Sequence, residues 1–275
     1  MKAQIKKSPK VYNVEALKKN PGKWFEKNVS KIRENRKVQA GFALTEDRER
    51  IFVKRYLLPR FWDRLASRLY NNKAETQLRI SKLLVDAGIN VPKPLKVFRD
   101  LSGRPPSVLY LCEGLYDCNS LRAVVHEMKH GDYQEIPSLM RRIAKMMARM
   151  HNLGFVHGDL KWTNILIAPS PGREFWFVDL DNATRSSFPK NNRYALDLAR
   201  FAVDMAENLQ DPQVFAVFLN CYKDYTGLKI QNLIKAMAPF FQKICLKHER
   251  KNKPGGVSLL SLAADVVNED SVKIR

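Results

Sequence analysis

Between residues 36 and 58 the chain alternates two apolar runs, "RKVQAGFAL" and "RIFVKRYLL", around the polar turn "TEDRE". Runs of this length, rich in Val, Ile, Phe and Tyr and broken by a turn, predict a β-hairpin. From Asn71-Asn72 the pattern changes to a helix, "KAETQLRISKLLVDAG", which Gly88 stops and Pro92 and Pro94 keep from resuming. "SVLYLCEGL" reads as a strand. "CNSLRAVVHEM" reads as a short helix with Asn119 or Ser120 as its cap. In "PSLMRRIAKMMARMHNLG" the residues Leu139, Ile143, Met146, Met147 and Met150 fall on one face, so a helix is predicted, with Gly154 just past its end. "REFWFVDLD" is a strand that runs into acids, and from Tyr194 onward the pattern is mostly helical.

Strands with one helix therefore come first and a mainly helical half follows. This order implies an α+β protein of two lobes with a cleft between them, joined near Glu113–Asp117. The expected parts are a basic N-terminal arm over residues 1–28 with some helix in "VEALKKN", closed by Pro21-Gly22, a small lobe of antiparallel sheet plus helix over 29–112, and a larger, mainly helical lobe over 113–275. No internal repeat or low-complexity tract interrupts this scheme.

Charge changes the picture. The chain carries a net charge of +20 over 275 residues. Residues 1–100 hold 25 Lys and Arg against 10 Asp and Glu, so the first third supplies most of the excess. Such a surface implies an anionic partner: phosphates, anionic lipid or nucleic acid. No run reaches the roughly 20 apolar residues that cross a bilayer. The N-terminus has charge without an apolar core, which is not the pattern of a secretory signal. Cys112, Cys118, Cys221 and Cys245 show no CxxC spacing, so free thiols in a cytosolic protein are expected.

Five residues stand out against this background. Lys54 interrupts an apolar strand, where a buried ammonium is costly unless it is paired. Glu75, on the following helix, could hold it toward phosphate oxygens. Asp159 and Asn164 sit in "HGDLKWTNIL", a polar knot between apolar flanks, and Asp179 ends "FWFVDLD". Asn164 and Asp179 are hard oxygen donors of the kind Mg²⁺ takes beside nucleotide phosphates. Asp159 is placed to meet an acceptor hydroxyl. Clamp, metal site and orienting carboxylate are the parts that phosphoryl transfer requires.

The resemblance that follows is to the protein-kinase-like superfamily. "HGDLKWTNIL" resembles the kinase catalytic loop H-R-D-L-K-x-x-N, "FVDLD" resembles the strand ending in D-F-G, and "FVKRY" resembles the strand bearing the V-A-I-K lysine. More narrowly, "HGDLKWTNIL" with "FVDLDNATR" is similar to the lipopolysaccharide kinase (Kdo/WaaP) family of Gram-negative bacteria. The resemblance implies a two-lobed protein-kinase-like fold with ATP and Mg²⁺ as cofactors. It implies Asp159 as catalytic base and Lys161 as stabiliser of the transferring phosphoryl group. Asn164 and Asp179 would bind Mg²⁺, and Lys54 would bind the α/β-phosphates and pair with Glu75. Glu113 and Leu115 would mark the adenine-binding linker through their backbone. His157 is expected to pack and hydrogen-bond rather than to catalyse. "LDLARF" looks like the helix whose Asp197 braces the loop.

Three departures narrow the expectation. There is no G-x-G-x-x-G; between Lys31 and Lys54 the only glycine is Gly41, so the basic stretch "RENRK" is expected to cover the phosphates. Gly158 replaces an Arg, which argues against control by activation-loop phosphorylation. Only 15 residues, Asn182 to Leu196, separate Asp181 from Asp197, too few for a peptide-docking platform. The expected acceptor is therefore a small hydroxyl: a heptose or Kdo sugar of the lipopolysaccharide inner core. The expected location is the cytoplasm, peripheral on the inner membrane. "RYLLPRFWDRLASRLY" interleaves Arg55, Arg60, Arg64 and Arg68 with Tyr56, Phe61, Trp62 and Tyr70, as suits an anionic membrane interface. The alternatives are an atypical protein or small-molecule kinase, of Rio/Bud32 or aminoglycoside-kinase type, and, remotely, a non-enzymatic nucleic-acid-binding module. No nucleic-acid-binding signature supports the last, and nucleic acid is not the expected partner.

Overall fold

The computed structural model describes residues 14–58, 73–169, 172–185 and 192–249 of the chain. It divides into two compact units, Met1–Cys118 and Asn119–Arg275. The boundary falls after the expected 112/113 for a local reason. Glu113 still pairs with Ile51 in the sheet. Beyond it, the Tyr116 hydroxyl accepts from Arg50 N at 2.7 Å, and the Leu115 carbonyl accepts from the Arg50 guanidinium at 3.3 Å.

The first unit is built on a five-stranded antiparallel sheet, β1 (Ser30–Glu34), β2 (Val38–Leu44), β3 (Arg50–Leu57), β4 (Pro94–Asp100) and β5 (Ser107–Glu113), in the order β1-β2-β3-β5-β4. β2 and β3 are the expected hairpin, with Ala40 opposite Lys54. β1 and β4 are edge strands, the first mostly exposed and the second mixed in burial, so neither gives an apolar alternation and the pattern does not announce them. One face of the sheet carries α3 (Lys73–Asp86). There Tyr56 donates to Gln77 at 2.8 Å, and Ala74 packs with Tyr56, Val108 and Tyr110.

The other face is covered by α1 (Val14–Lys19) and α2 (Pro21–Asn28), whose Leu17, Trp24 and Phe25 pack on Ile51, Val53, Leu109 and Leu111. The first of these is the helix expected in "VEALKKN"; where Pro21-Gly22 was read as its close, a second helix begins, and both dock on the sheet. Two polar latches hold α2. Gly22 N donates to Asp100 at 2.9 Å, and a Cβ at Gly22 would meet that carboxylate at 2.4 Å. Arg55 donates to Glu26 at 2.7 Å and to Ser107 at 2.9 Å. Arg55 and Tyr56 are only 3% and 7% exposed, so they cannot lie on a membrane as the basic-aromatic reading required. That reading's remaining residues, Arg60 to Tyr70, the expected cap at Asn71-Asn72, and residues 1–13 lie outside the described residues.

The second unit is mainly helical. Its helices are α4 (Leu121–Met128), α5 (Ile136–Asn152), α6 (Arg193–Asn208), α7 (Pro212–Thr226) and α8 (Ile230–Glu249). Ser120 caps α4 by accepting from Ala123 N. Of the five residues read as one face of α5, Leu139, Ile143, Met147 and Met150 are buried, while Met146 is half-buried. Phe201 of α6 stacks on Phe218 of α7 at 4.5 Å between centroids. Small strands complete the unit: β6 (Asn119–Ser120) and β9 (Phe175–Phe177) flank β8 (Ile165–Ile167), and β7 (Phe155–Val156) pairs with β10 (Thr184–Arg185). Among the described residues no helix is long and apolar enough to cross a membrane.

None of the four cysteines is in a disulfide. Burial pushes the Cys112 thiol up to about 12, because the thiolate would have to form away from water. At pH 8 that leaves about one part in 10⁴ as thiolate. In the native protein an iodoacetamide time course followed by peptide mass spectrometry should therefore modify the half-buried Cys118 and Cys221 well before Cys112. Cys112 should become reactive only as the sheet unfolds. Equal early labelling of Cys112 would contradict its placement.

Candidate active site

In the second unit the loop His157–Asn164 is held from beneath by one carboxylate. Asp197, fully buried on α6, accepts from His157 N at 2.7 Å and from Gly158 N at 2.8 Å. Its Oδ2 also lies 3.3 Å from His151 Nε2, while His151 Nδ1 lies 2.8 Å from the Tyr222 hydroxyl. Burial raises the Tyr222 hydroxyl well above its ordinary range, with Tyr194 and Asp197 adding to the shift, so it stays a donor. With Tyr222 donating to Nδ1 and Nε2 donating to Asp197, His151 links the two groups. This is the brace read from "LDLARF".

Further contacts set the loop's shape. His157 is buried and donates from Nε2 to the Val178 carbonyl at 3.0 Å, the packing role expected of it. Gly158 has φ +79, and a Cβ there would meet the Asn182 carbonyl oxygen at 2.4 Å. The absence of a side chain at this position is thus a steric demand of the loop itself. At the far end Trp162 N donates to Asp204 at 2.7 Å, and Arg122 pairs with the same carboxylate at 2.8 Å. Burial raises the Asp204 carboxyl, and these two donors oppose the rise.

Within this frame the structure brings Asp159, Lys161 and Asn164 together. Lys161 Nζ lies 3.1 Å from Asp159 Oδ2. Asn164 donates from Nδ2 to the Asp159 carbonyl at 2.9 Å, and the same nitrogen lies 3.5 Å from Oδ2. That fixes the Asn164 amide so that its oxygen is the group a cation would take. Asp179 follows β9, which pairs with β8 so that Ile165 faces Phe177 and Val178 N donates to the Asn164 carbonyl at 2.9 Å. Asp179 itself adopts the left-handed backbone (φ 63), and it opens the 3-10 turn Leu180–Asn182 that contains Asp181. Among the described residues there is no cluster of three or more His, Cys, Asp or Glu side chains that could hold a metal. Two oxygen donors, Asn164 and Asp179, with no nitrogen or sulfur ligand, fit a small hard cation that takes its other ligands from phosphate and water.

One participant was missed. Arg200, on α6, donates to the Gly158 carbonyl and lies 3.2 Å from Asp159 Oδ1. Its spacing three residues after Asp197 puts it on the same helix face, and that was the available signal.

In the first unit, Lys54 is 4% exposed on the central strand, on the face covered by α3, with Nζ 5.5 Å from the Tyr56 ring centroid. Glu75, on α3, takes Arg99 of β4 as an ion-pair partner, with Nε donating at 2.8 Å. The sequence reading had not anticipated that partner. Glu113 N donates to the Lys93 carbonyl at 2.9 Å, and the Leu115 carbonyl is engaged by Arg50. Any part these two play at adenine therefore falls to their other backbone groups.

Comparison with known proteins follows the same lines. Residues 15–222, three-quarters of the chain, match the family model described as lipopolysaccharide kinase (Kdo/WaaP) family. A 3-deoxy-D-manno-octulosonic acid kinase of Vibrio parahaemolyticus is 30% identical over 104 residues, which is 37% of this chain and 40% of that protein. The EKC/KEOPS complex subunit BUD32 of Cryptococcus neoformans is 36% identical over 98 residues, 33% of this chain and 32% of that one. These curated relatives are thus matched over less than half of their own length. Among solved structures, one of WaaP in complex with acyl carrier protein has a TM-score of 0.59 at 18% identity, covering 80% of this chain and 87% of that one. The expected fold, an antiparallel sheet with a helix and then a mainly helical part, is shared with it.

Proposed function

Because the chain belongs to the lipopolysaccharide kinase (Kdo/WaaP) family, we propose that it transfers the γ-phosphoryl group of ATP to a sugar hydroxyl, on Kdo or heptose, of the lipopolysaccharide inner core. The observation that carries the proposal is the loop His157–Asn164, which holds an Asp, a Lys and an Asn in mutual contact over a buried carboxylate. Asp159 accepts the proton of the attacking hydroxyl and orients it. Lys161, 46% exposed, is free to reach toward phosphate oxygens. Lys54 binds the α/β-phosphates, with Glu75 supporting it and with adenine against the Glu113–Leu115 backbone. Asn164 and Asp179 would hold Mg²⁺, which would supply positive charge to offset that of the phosphate. The net charge of +20 suits a phosphate-bearing glycolipid at the cytoplasmic face of the inner membrane of a Gram-negative bacterium.

The BUD32 similarity supports a second reading, an atypical protein or small-molecule kinase, of which the protein form is the one put to the test. The 15 residues between Asp181 and Asp197 weigh against it, since they leave little chain for a peptide platform. The test is direct. The purified protein is incubated with ATP, Mg²⁺ and a Kdo-bearing or heptose-bearing lipid A acceptor, and the product is examined by mass spectrometry. One added phosphate on the sugar is the expected result. Phosphate on protein and none on sugar would select the second reading. Asp179→Ala should lower the rate about 100-fold, in the range typical of groups that stabilise charge in a transition state. An Asp179→Ala variant with the parent rate would remove that residue from the metal site.

A further inference from the structure

Three side chains of α6, Asp197, Arg200 and Asp204, follow one another at steps of three and four and so share one face of the helix. Each grips a different part of the loop. Asp197 takes the amides of His157 and Gly158, and Asp204 takes the amide of Trp162. Arg200 is the only one of the three that also reaches a side chain of the loop. It donates to the Gly158 carbonyl and pairs with Asp159 through Oδ1 at 3.2 Å. The two contacts fix the Asp159 backbone and carboxylate with a single rigid guanidinium.

Resting on the phosphoryl-transfer reading above, we infer that Arg200 is a positioning residue that selects which oxygen of Asp159 faces the acceptor. Lys161 holds Oδ2 at 3.1 Å, but it is 46% exposed and has phosphate to attend to. Arg200 is 28% exposed and anchored on a buried helix, so it keeps Oδ1 when Lys161 moves away. Oδ2 is then the oxygen that takes the hydroxyl proton, and the new P–O bond forms as the bond between the γ-phosphorus and its bridging oxygen breaks. The residue just before Asp159 cannot supply this anchor, since Gly158 has φ +79 and a Cβ there would meet Asn182; the guanidinium comes instead from the helix beneath.

Arg200→Ala should lower kcat about 10- to 100-fold, the size of effect that follows loss of reacting-group geometry. KM for ATP should change by less than about two-fold, since no nucleotide contact is lost. Millimolar guanidinium added to Arg200→Ala, and the variant Arg200→Lys, should each restore part of kcat. In parallel, hydrogen exchange of the Asp159 and Lys161 amides should quicken in Arg200→Ala while the melting temperature stays unchanged. An unchanged kcat, a loss that guanidinium cannot relieve, or unchanged exchange in the loop would overturn the assignment. The exchange measurement needs no turnover. If the parent protein phosphorylates no sugar acceptor, the kinase reading fails, and loop exchange alone still decides whether Arg200 fixes Asp159.

Discussion

Asp159→Asn is expected to fold like the parent and to lose phosphoryl transfer by about 10³-fold, within the range for removing a proton acceptor from a transition state. Asn keeps the size and one acceptor oxygen of the Asp but cannot take the hydroxyl proton. The fold should tolerate the change. The Asp159 carboxylate and its partners Lys161 and Arg200 are 24%, 46% and 28% exposed. Ion pairs that solvent can screen contribute only about 0–1 kcal/mol. Melting temperature and KM for ATP should therefore stay near the parent values while kcat collapses. A variant that retained a tenth of the parent kcat would show that the acceptor proton leaves by another route, and Asp159 would be reduced to a structural role.

Asp197→Ala should act in the opposite way, through the fold. The carboxylate is fully buried and its oxygens serve His157 N, Gly158 N and His151. Removing it strands two backbone donors and a ring nitrogen out of reach of water, at about 1–3 kcal/mol each. Even with relaxation, a loss of about 3–5 kcal/mol is expected, as for other buried charge networks that lose one partner. Such a loss is a large share of a typical stability of about 5–15 kcal/mol. It should lower the melting temperature by about 10 °C, at some 2–4 °C per kcal/mol for a unit of this size. Asp197→Asn, which keeps one acceptor, should fall between. Thermal unfolding by circular dichroism reads the outcome, and a shift below about 2 °C for Asp197→Ala would show that the loop amides find other partners.

These two residues differ in how visible they were. Asp159 stands in a contiguous motif, and its neighbours Lys161 and Asn164 are two and five residues away, so local spacing alone brings them together. Asp197 was legible only through the resemblance of "LDLARF" to the helix that braces such a loop, not through any spacing of its own. Arg200 and Asp204 share its face but were not read. Their one signal was helical spacing from Asp197, three and seven residues on, and it does not name the loop groups some 40 residues earlier that they grip. Glu75 shows the same limit from the other side. Its helix was foreseen, while its ion-pair partner Arg99 sits on an edge strand with no alternation to announce it.

At the N-terminus the helix in "VEALKKN" was foreseen, and its docking on the sheet was not. Lysines dominate the run before Gly22 and draw the eye to charge. The apolar Leu17, Trp24 and Phe25 are few, yet they are the ones that meet the sheet. Arg55, counted as a surface cation, is buried because Glu26, Ser107 and Gln39 gather around it from three separate stretches of chain.

The sequence by itself determined the hairpin, the main helices, the loop from His157 to Asn164 and the family, because each rests on short-range spacing: alternation, the helical repeat, or a motif within ten residues. Tertiary structure alone decided what those elements press against. It chose α1 and α2 as the cover of one sheet face, the close approach of Asn182 as the reason for Gly158, and a single face of α6 as the grip on the loop from His157 to Asn164. Contacts between residues tens of positions apart depend on how buried polar groups find partners once the chain has packed. That matching leaves no periodic trace in the order of the residues.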